Sequence, residues 1–208
     1  MSEELGLRER KKLRTRAAIS TAAIGLFTER GFDAVGVAEV ARVAEVSKRT
    51  LFAYFPTKED LVLHRFADHE TDAADVVRAR RPGQGALAAL REAFLRGLEE
   101  RSPVTGLCDE PAVLAVFQLV TGTPALVARL AEFTSAGEAA LAGALAEAGV
   151  PAPDAGLAAA QIAAVRRTLA TANMDAVAAG VPAARRHPEA VVAAERAFHL
   201  LTSGVGFA

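Results

Sequence analysis

The stretch Val37 to Lys58, VAEVARVAEVSKRTLFAYFPTK, places two short helical patterns, a tight turn and a cluster of basic, hydroxyl and aromatic side chains in 22 positions. Val37, Val40, Ala41 and Ala44 fall at i, i+3, i+4 and i+7, so they line one face of a first short helix. A turn through Glu45 and Val46 follows. Ser47 then stands where its side-chain oxygen can cap a second helix. Leu51 and Phe55 face inward on that helix, leaving Lys48, Arg49, Thr50 and Tyr54 available outside. Pro56 ends it. Thr57, ahead of Lys58, Glu59 and Asp60, reads as the N-cap of another helix with acidic residues in its first turn.

Upstream, Arg8 to Arg30 predicts a helix with Ile19, Ala22, Ala23, Leu26 and Phe27 on its inner stripe, ended by Gly31, after which Phe32 closes a small core. Downstream, the spacing predicts one long helix from Lys58 to about Arg81, stopped by Pro82 and Gly83. The remainder is rich in Ala and Leu at helical spacing, has no alternating strand-like stretch and is punctuated by prolines. It predicts a bundle with helices near 84–101, 110–121, 123–148, 153–180 and 188–202.

The segments LFTERGFDA, Leu26–Ala34, and VSKRTLFAYFPTKEDL, Val46–Leu61, resemble the DNA-binding region of the tetracycline-repressor (TetR) family of bacterial transcription regulators. The resemblance runs from about Arg8 to about Phe66. Three positions depart from the family pattern: Glu45 where Gly is usual, Phe52 where Tyr is frequent, and Val35 and Gly36 where two threonines often stand. Glu45 is thereby expected to take a positive φ or an altered turn, and one hydroxyl contact to phosphate is in doubt. The resemblance implies an all-α protein with a three-helix, helix-turn-helix DNA-binding domain at residues 1–57. A helical bundle at residues 58–208 would serve for ligand binding and dimerisation. The implied function is a dimeric regulator, a repressor released from a near-palindromic operator by a small-molecule effector. The alternative is a constitutive DNA-binding regulator whose bundle is filled and senses nothing.

Composition fits this reading. A chain of 208 residues with 51% hydrophobic content can bury a substantial core. No uninterrupted apolar run reaches about 18 residues, and the opening MSEELGLRERKKLR lacks the apolar centre of a secretory signal, so a cytoplasmic protein without a membrane partner is expected. The single Cys108 and the scattered histidines, His64 and His69 among them, give no zinc-ligand spacing. No phosphate-cradling glycine loop or paired nucleophile and base is present, so neither cofactor, metal nor enzymatic activity is expected. The net charge of −1 is unevenly spread: residues 1–65 hold 12 Lys+Arg against 9 Asp+Glu, and residues 66–208 hold 12 against 16. All four lysines, Lys11, Lys12, Lys48 and Lys58, precede residue 59. Such a local basic face can drive phosphate binding in a chain that is acidic as a whole.

On this reading Lys48, Arg49 and Thr50 choose sequence in the major groove, with Ser47 and Ala53 beside them. Tyr54 and Lys58 hold phosphates, and Lys11 and Lys12, with Arg14, reach the backbone or the neighbouring minor groove. A solvated surface role is the alternative for Lys48, Arg49, Lys11 and Lys12, and a core edge for Tyr54. Dimerisation is expected along the last two helices, through Ala158, Ala159, Ile162, Val165 and Leu169 on one and Val191, Val192, Ala194, Ala197, Phe198 and Leu201 on the other; an ordinary intrachain core is the alternative. An effector cavity is expected to be lined by Phe94, Leu98, Cys108, Leu114, Phe117, Gln118, Leu130, Phe133, Arg166, Leu169 and Asn173, each of which plain core packing would also explain. Gln118, Arg166 and Asn173 are the most informative of these, because a polar group on an apolar bundle face needs a partner. A ligand with one polar or anionic group on an apolar body would fit.

Overall fold

A computed structural model describes residues 6–203, and every regular element among them is helical. In order these are α1 Leu7–Arg30, α2 Val37–Val43, α3 Lys48–Tyr54, α4 Asp60–Asp68, α5 Asp72–Arg78 and α6 Ala86–Glu99. A 3₁₀ turn at Pro103–Thr105 precedes α7 Pro111–Thr121, α8 Pro124–Glu147, α9 Ala152–Ala178 and α10 Ala183–Ser203. Among the described residues, no single helix is long and apolar enough to cross a membrane.

Two compact units result, one built from the chain up to Ala67 with Ala115–Leu130, the other from Asp68–Leu114 with Ala131 onward. This is not the linear division drawn between residues 57 and 58. Helix α4 belongs with the first unit, called the head below, and the chain returns to it at 115–130.

The first unit is a small aromatic-aliphatic core. Ile19, Ala23 and Phe27 of α1, Phe32 and Val35 of the following loop, Val40 and Ala41 of α2, and Leu51 and Phe55 at α3 are buried, with Leu61, Val62 and Leu63 of α4 beneath them. Phe27 and Phe32 rings stand 5.0 Å apart, and Phe55 meets His64 edge-on at 5.3 Å. Ser20, also buried, donates to the Leu61 carbonyl at 3.1 Å, which ties α1 to α4. The Thr57 cap forms as expected and is reciprocal: Thr57 Oγ1 accepts the Asp60 N–H and Asp60 Oδ2 accepts the Thr57 N–H, at 3.2 and 3.1 Å. Arg129, near the start of α8, donates to Asp60 Oδ1 through Nε and a terminal nitrogen at 3.1 and 3.0 Å, so the returning segment is fastened to the first residue of α4.

The second unit packs around Phe94, Leu98, Leu107, Leu141, Leu145 and Phe198. The Phe94 and Phe198 rings lie 6.0 Å apart. Bidentate pairs Arg78–Glu147 and Arg91–Glu195 clasp its exterior, and their hydrogen bonds hold both carboxyls below the usual carboxylate value.

Two helix limits differ from expectation. The long helix placed at 58–81 is interrupted at 69–71, where short polar side chains compete with the backbone ladder: His69 Nδ1 bonds the Asp72 carboxylate at 2.8 Å and Thr71 donates to Asp75 at 2.9 Å. The Glu70 carbonyl also lies where a Cβ on Gly137 would come within 2.8 Å. The last helix starts at Ala183, not Pro188, and carries Pro188 inside it. Its start is set from outside, because Asp109 Oδ2 accepts the Ala183 N–H at 3.0 Å across 74 residues.

Candidate nucleic-acid interface

The candidate interface is organised by the Ser47 cap. Ser47 Oγ accepts the Thr50 N–H at 3.0 Å and lies 2.8 Å from Thr50 Oγ1, so α3 begins on a fixed first turn. The preceding turn is held by Glu45 at φ 55°, the positive value its non-glycine character made costly. Leu51 and Phe55 are buried in the core, which sets the face that α3 turns outward. Lys48, Arg49, Phe52 and Ala53 are its exposed residues, and Thr50 and Tyr54 are half-buried at its edges. Because the Thr50 hydroxyl is engaged by the cap, its methyl is the more available contact. Ser47 likewise uses its hydroxyl to build the helix.

Lys58 is placed differently from expectation. Its Nζ donates to the Phe32 carbonyl at 2.6 Å and sits 4.2 Å from the Phe32 ring centroid and 5.4 Å from that of Phe27. The side chain is turned into the head, where a cation over aromatic faces and a carbonyl acceptor hold it; it stabilises the loop after α1 in place of reaching for phosphate. Lys11, Lys12 and Arg14 are exposed on the first turns of α1, with Lys12 only 3.8 Å from Glu9. Phe52, which is not among the expected site residues, is 44% exposed on the same helix as Arg49, and this sets it apart from the buried aromatics of the head. Its signal in the sequence was its spacing of three from Arg49 and four from Lys48.

The expected effector-lining residues do not form one set. Phe94 and Leu98 are part of the packed core of the second unit, and Cys108 is buried. Both polar side-chain atoms of Asn173 are engaged: its Nδ2 donates to the Thr105 carbonyl at 3.0 Å and its Oδ1 accepts from Arg186 Nε at 3.2 Å. Gln118 is exposed to solvent, which corrects its assignment to an apolar face. Leu114, Phe117, Leu130, Phe133, Arg166 and Leu169 are half-buried. Burial lowers the Arg166 guanidinium from its ordinary value, and the Asp72 charge opposes that effect. Two surface hollows, of about 490 and 320 Å³, are bordered by residues of α10 and by residues of α6 with α10. None of the expected lining residues borders either.

The residues of the expected dimer seam are mostly covered by their own chain. Ala159, Ile162, Ala194 and Phe198 are buried within their own chain, with Ala158, Leu169, Val191 and Leu201 packed against that core. Val165 and Ala197 are half-buried. Most of the apolar stripe is therefore packed within its own chain, whereas Val192 of the expected seam is exposed, on an outward face of α10 that also carries Glu189, Arg196 and Leu200.

A capped, exposed, basic second helix locked onto two others defines a helix-turn-helix protein. Residues 19–64 match the model of the tetR family of bacterial regulatory proteins. It is 31% identical over 125 residues to the HTH-type transcriptional regulator TcmR of Streptomyces glaucescens, covering 59% of this chain and 55% of that one. The chain thus matches about half the length of this curated relative. Among solved structures it is similar to a TetR-family regulator from Streptomyces coelicolor A3, with TM-score 0.59 and 22% identity over 98% of this chain and 100% of that one. It is also similar to the regulator FadR from Bacillus subtilis in complex with stearoyl-CoA, with TM-score 0.52 and 19% identity over 91% and 99%. At these identities the structural likeness is one of fold.

Proposed function

We propose that the protein is a dimeric DNA-binding transcription regulator, a repressor that leaves a near-palindromic operator when a small molecule binds its second unit. The observation that carries DNA recognition is the Ser47-capped α3 with Lys48 and Arg49 exposed and its inner face sealed. Arg49 and Lys48 are suited to donate to guanine O6 and N7, and the Thr50 methyl to meet a thymine methyl. Tyr54 at the far end of the helix and Lys11 and Lys12 on α1 would contact phosphates and set register.

A single head of this size buries only about 600 to 1,000 Å² on DNA, which favours two heads on sites about 34 to 36 Å apart. The exposed face of α10 supports self-association. In an antiparallel pairing about a two-fold axis between positions 192 and 193, Val192 meets Ala193, and Glu189 meets Arg196 of the partner subunit twice over. Val192, 68% exposed, would be covered at the centre.

Release by an effector of coupling free energy about 1 to 3 kcal/mol would weaken operator affinity about 5- to 150-fold, and operator would weaken effector binding equally. The core placement of Phe94 and Leu98 and the satisfied Asn173 favour a second reading, a constitutive regulator with a filled bundle. Effector titration with and without operator separates the two.

The reader itself is tested by selecting bound fragments from a random DNA pool with the full chain. A palindrome with fixed half-site spacing is expected, and joint Arg49→Ala and Thr50→Ala substitution should remove preference at the base pairs those two residues read while leaving the oligomer unchanged. Unchanged preference at every position in the double variant refutes their assignment.

A further inference from the structure

We propose that Phe52 is a specificity-determining residue that recognises the C5-methyl group of a thymine at a fixed place in each operator half-site. The inference rests on α3 being the reading helix. Phe52 lies one helical turn from both Lys48 and Arg49, so the three side chains share one outward face. The ring is 44% exposed, whereas Phe27, Phe32 and Phe55 of the same unit are buried, so it is not needed to close the head core.

An exposed aromatic ring beside two cations defines a mixed surface: charge for phosphate or guanine, and a desolvation gain for something apolar. The major groove offers one chief apolar feature, the thymine methyl. Phe52 carries no hydroxyl, so it has no hydrogen bond to offer a phosphate or a base edge, and its ring contributes only by covering apolar atoms. The neighbouring Ala53, also exposed, is short enough to leave the ring room to reach the groove floor. Arg49 would then select guanine through donors while Phe52 selects thymine over cytosine through its methyl group.

Burying one methyl changes affinity by about fourfold, or about fifteenfold when both half-sites of a dimer site are altered together. The experiment uses the full chain and the site selected from the random pool. Each thymine in turn is replaced in both half-sites by deoxyuridine, which deletes only the methyl. One thymine position is expected to cost the unaltered protein about fifteenfold and to cost Phe52→Ala nothing, while Phe52→Tyr, which retains the ring, stays sensitive at the same position. Equal losses in the unaltered protein and Phe52→Ala at every position, or a selected half-site without thymine, overturn the proposal while leaving the reading helix in place. A pool that yields no preferred sequence removes both the reading helix and the inference built on it.

Discussion

Glu45 shows what one residue costs the head. A side chain held at φ 55° lies in the left-handed region, at about 1 to 2 kcal/mol for a residue other than glycine. Glu45→Gly should therefore stabilise the protein by about 1 kcal/mol, seen as a melting temperature raised by a few degrees in a thermal unfolding scan; an unchanged or lowered midpoint would show that the turn is held without strain. Loss of the Ser47 cap acts in the opposite direction. Ser47→Ala leaves the Thr50 N–H without its acceptor and should cost about 1 kcal/mol in denaturant unfolding. Both features were readable in the sequence, because they depend on neighbours within three positions. The role of Lys58 was not. Its partners Phe27 and Phe32 lie 31 and 26 positions away, and no local pattern tells an outward lysine from one folded back onto aromatic rings.

At the level of elements, helical periodicity located most helices, and the misplacements trace to contacts distant along the chain. The apolar rhythm continues across 69–71, yet polar side chains and the approach of Glu70 to Gly137 end α4 there. Pro188 reads locally as a first-turn residue, whereas Asp109 sets the start of α10 five positions earlier. The seam residues were correctly read as apolar; periodicity reveals that a stripe is covered without revealing whether its cover is the same chain or another. The junction of the 3₁₀ turn with α9 is the tightest of these contacts. Gly106 has φ 72°, and a Cβ there would stand 1.9 Å from the Ala170 carbonyl oxygen. Gly106→Ala combines a backbone conformation unfavourable to alanine with a clash against main chain, and should destabilise by about 3 kcal/mol or more, measured by urea unfolding. A loss below about 1 kcal/mol would mean that the turn and α9 separate at little cost.

For the whole molecule, the test lies in the symmetry of α10. If Glu189 meets Arg196 of the partner subunit at both ends of the pairing, Glu189→Arg places like charges opposite each other and should raise the dimer dissociation constant about tenfold or more. The double variant Glu189→Arg with Arg196→Glu should return it toward its starting value in sedimentation equilibrium. A single variant as dimeric as the unaltered chain would place the self-contact elsewhere. The return of residues 115–130 to the head has a consequence for biosynthesis. Leu126 and Val120 are buried there and Arg129 is paired with Asp60, so a nascent chain that has emerged only to Ala67 still lacks part of the packing of its first unit. At ~5 to 20 residues per second the ribosome takes roughly 3 to 13 s more to deliver Leu130. During that interval the freshly made helices face the cell with one side of their core uncovered, a period in which chaperones have access to the apolar surface that the later segment will occupy.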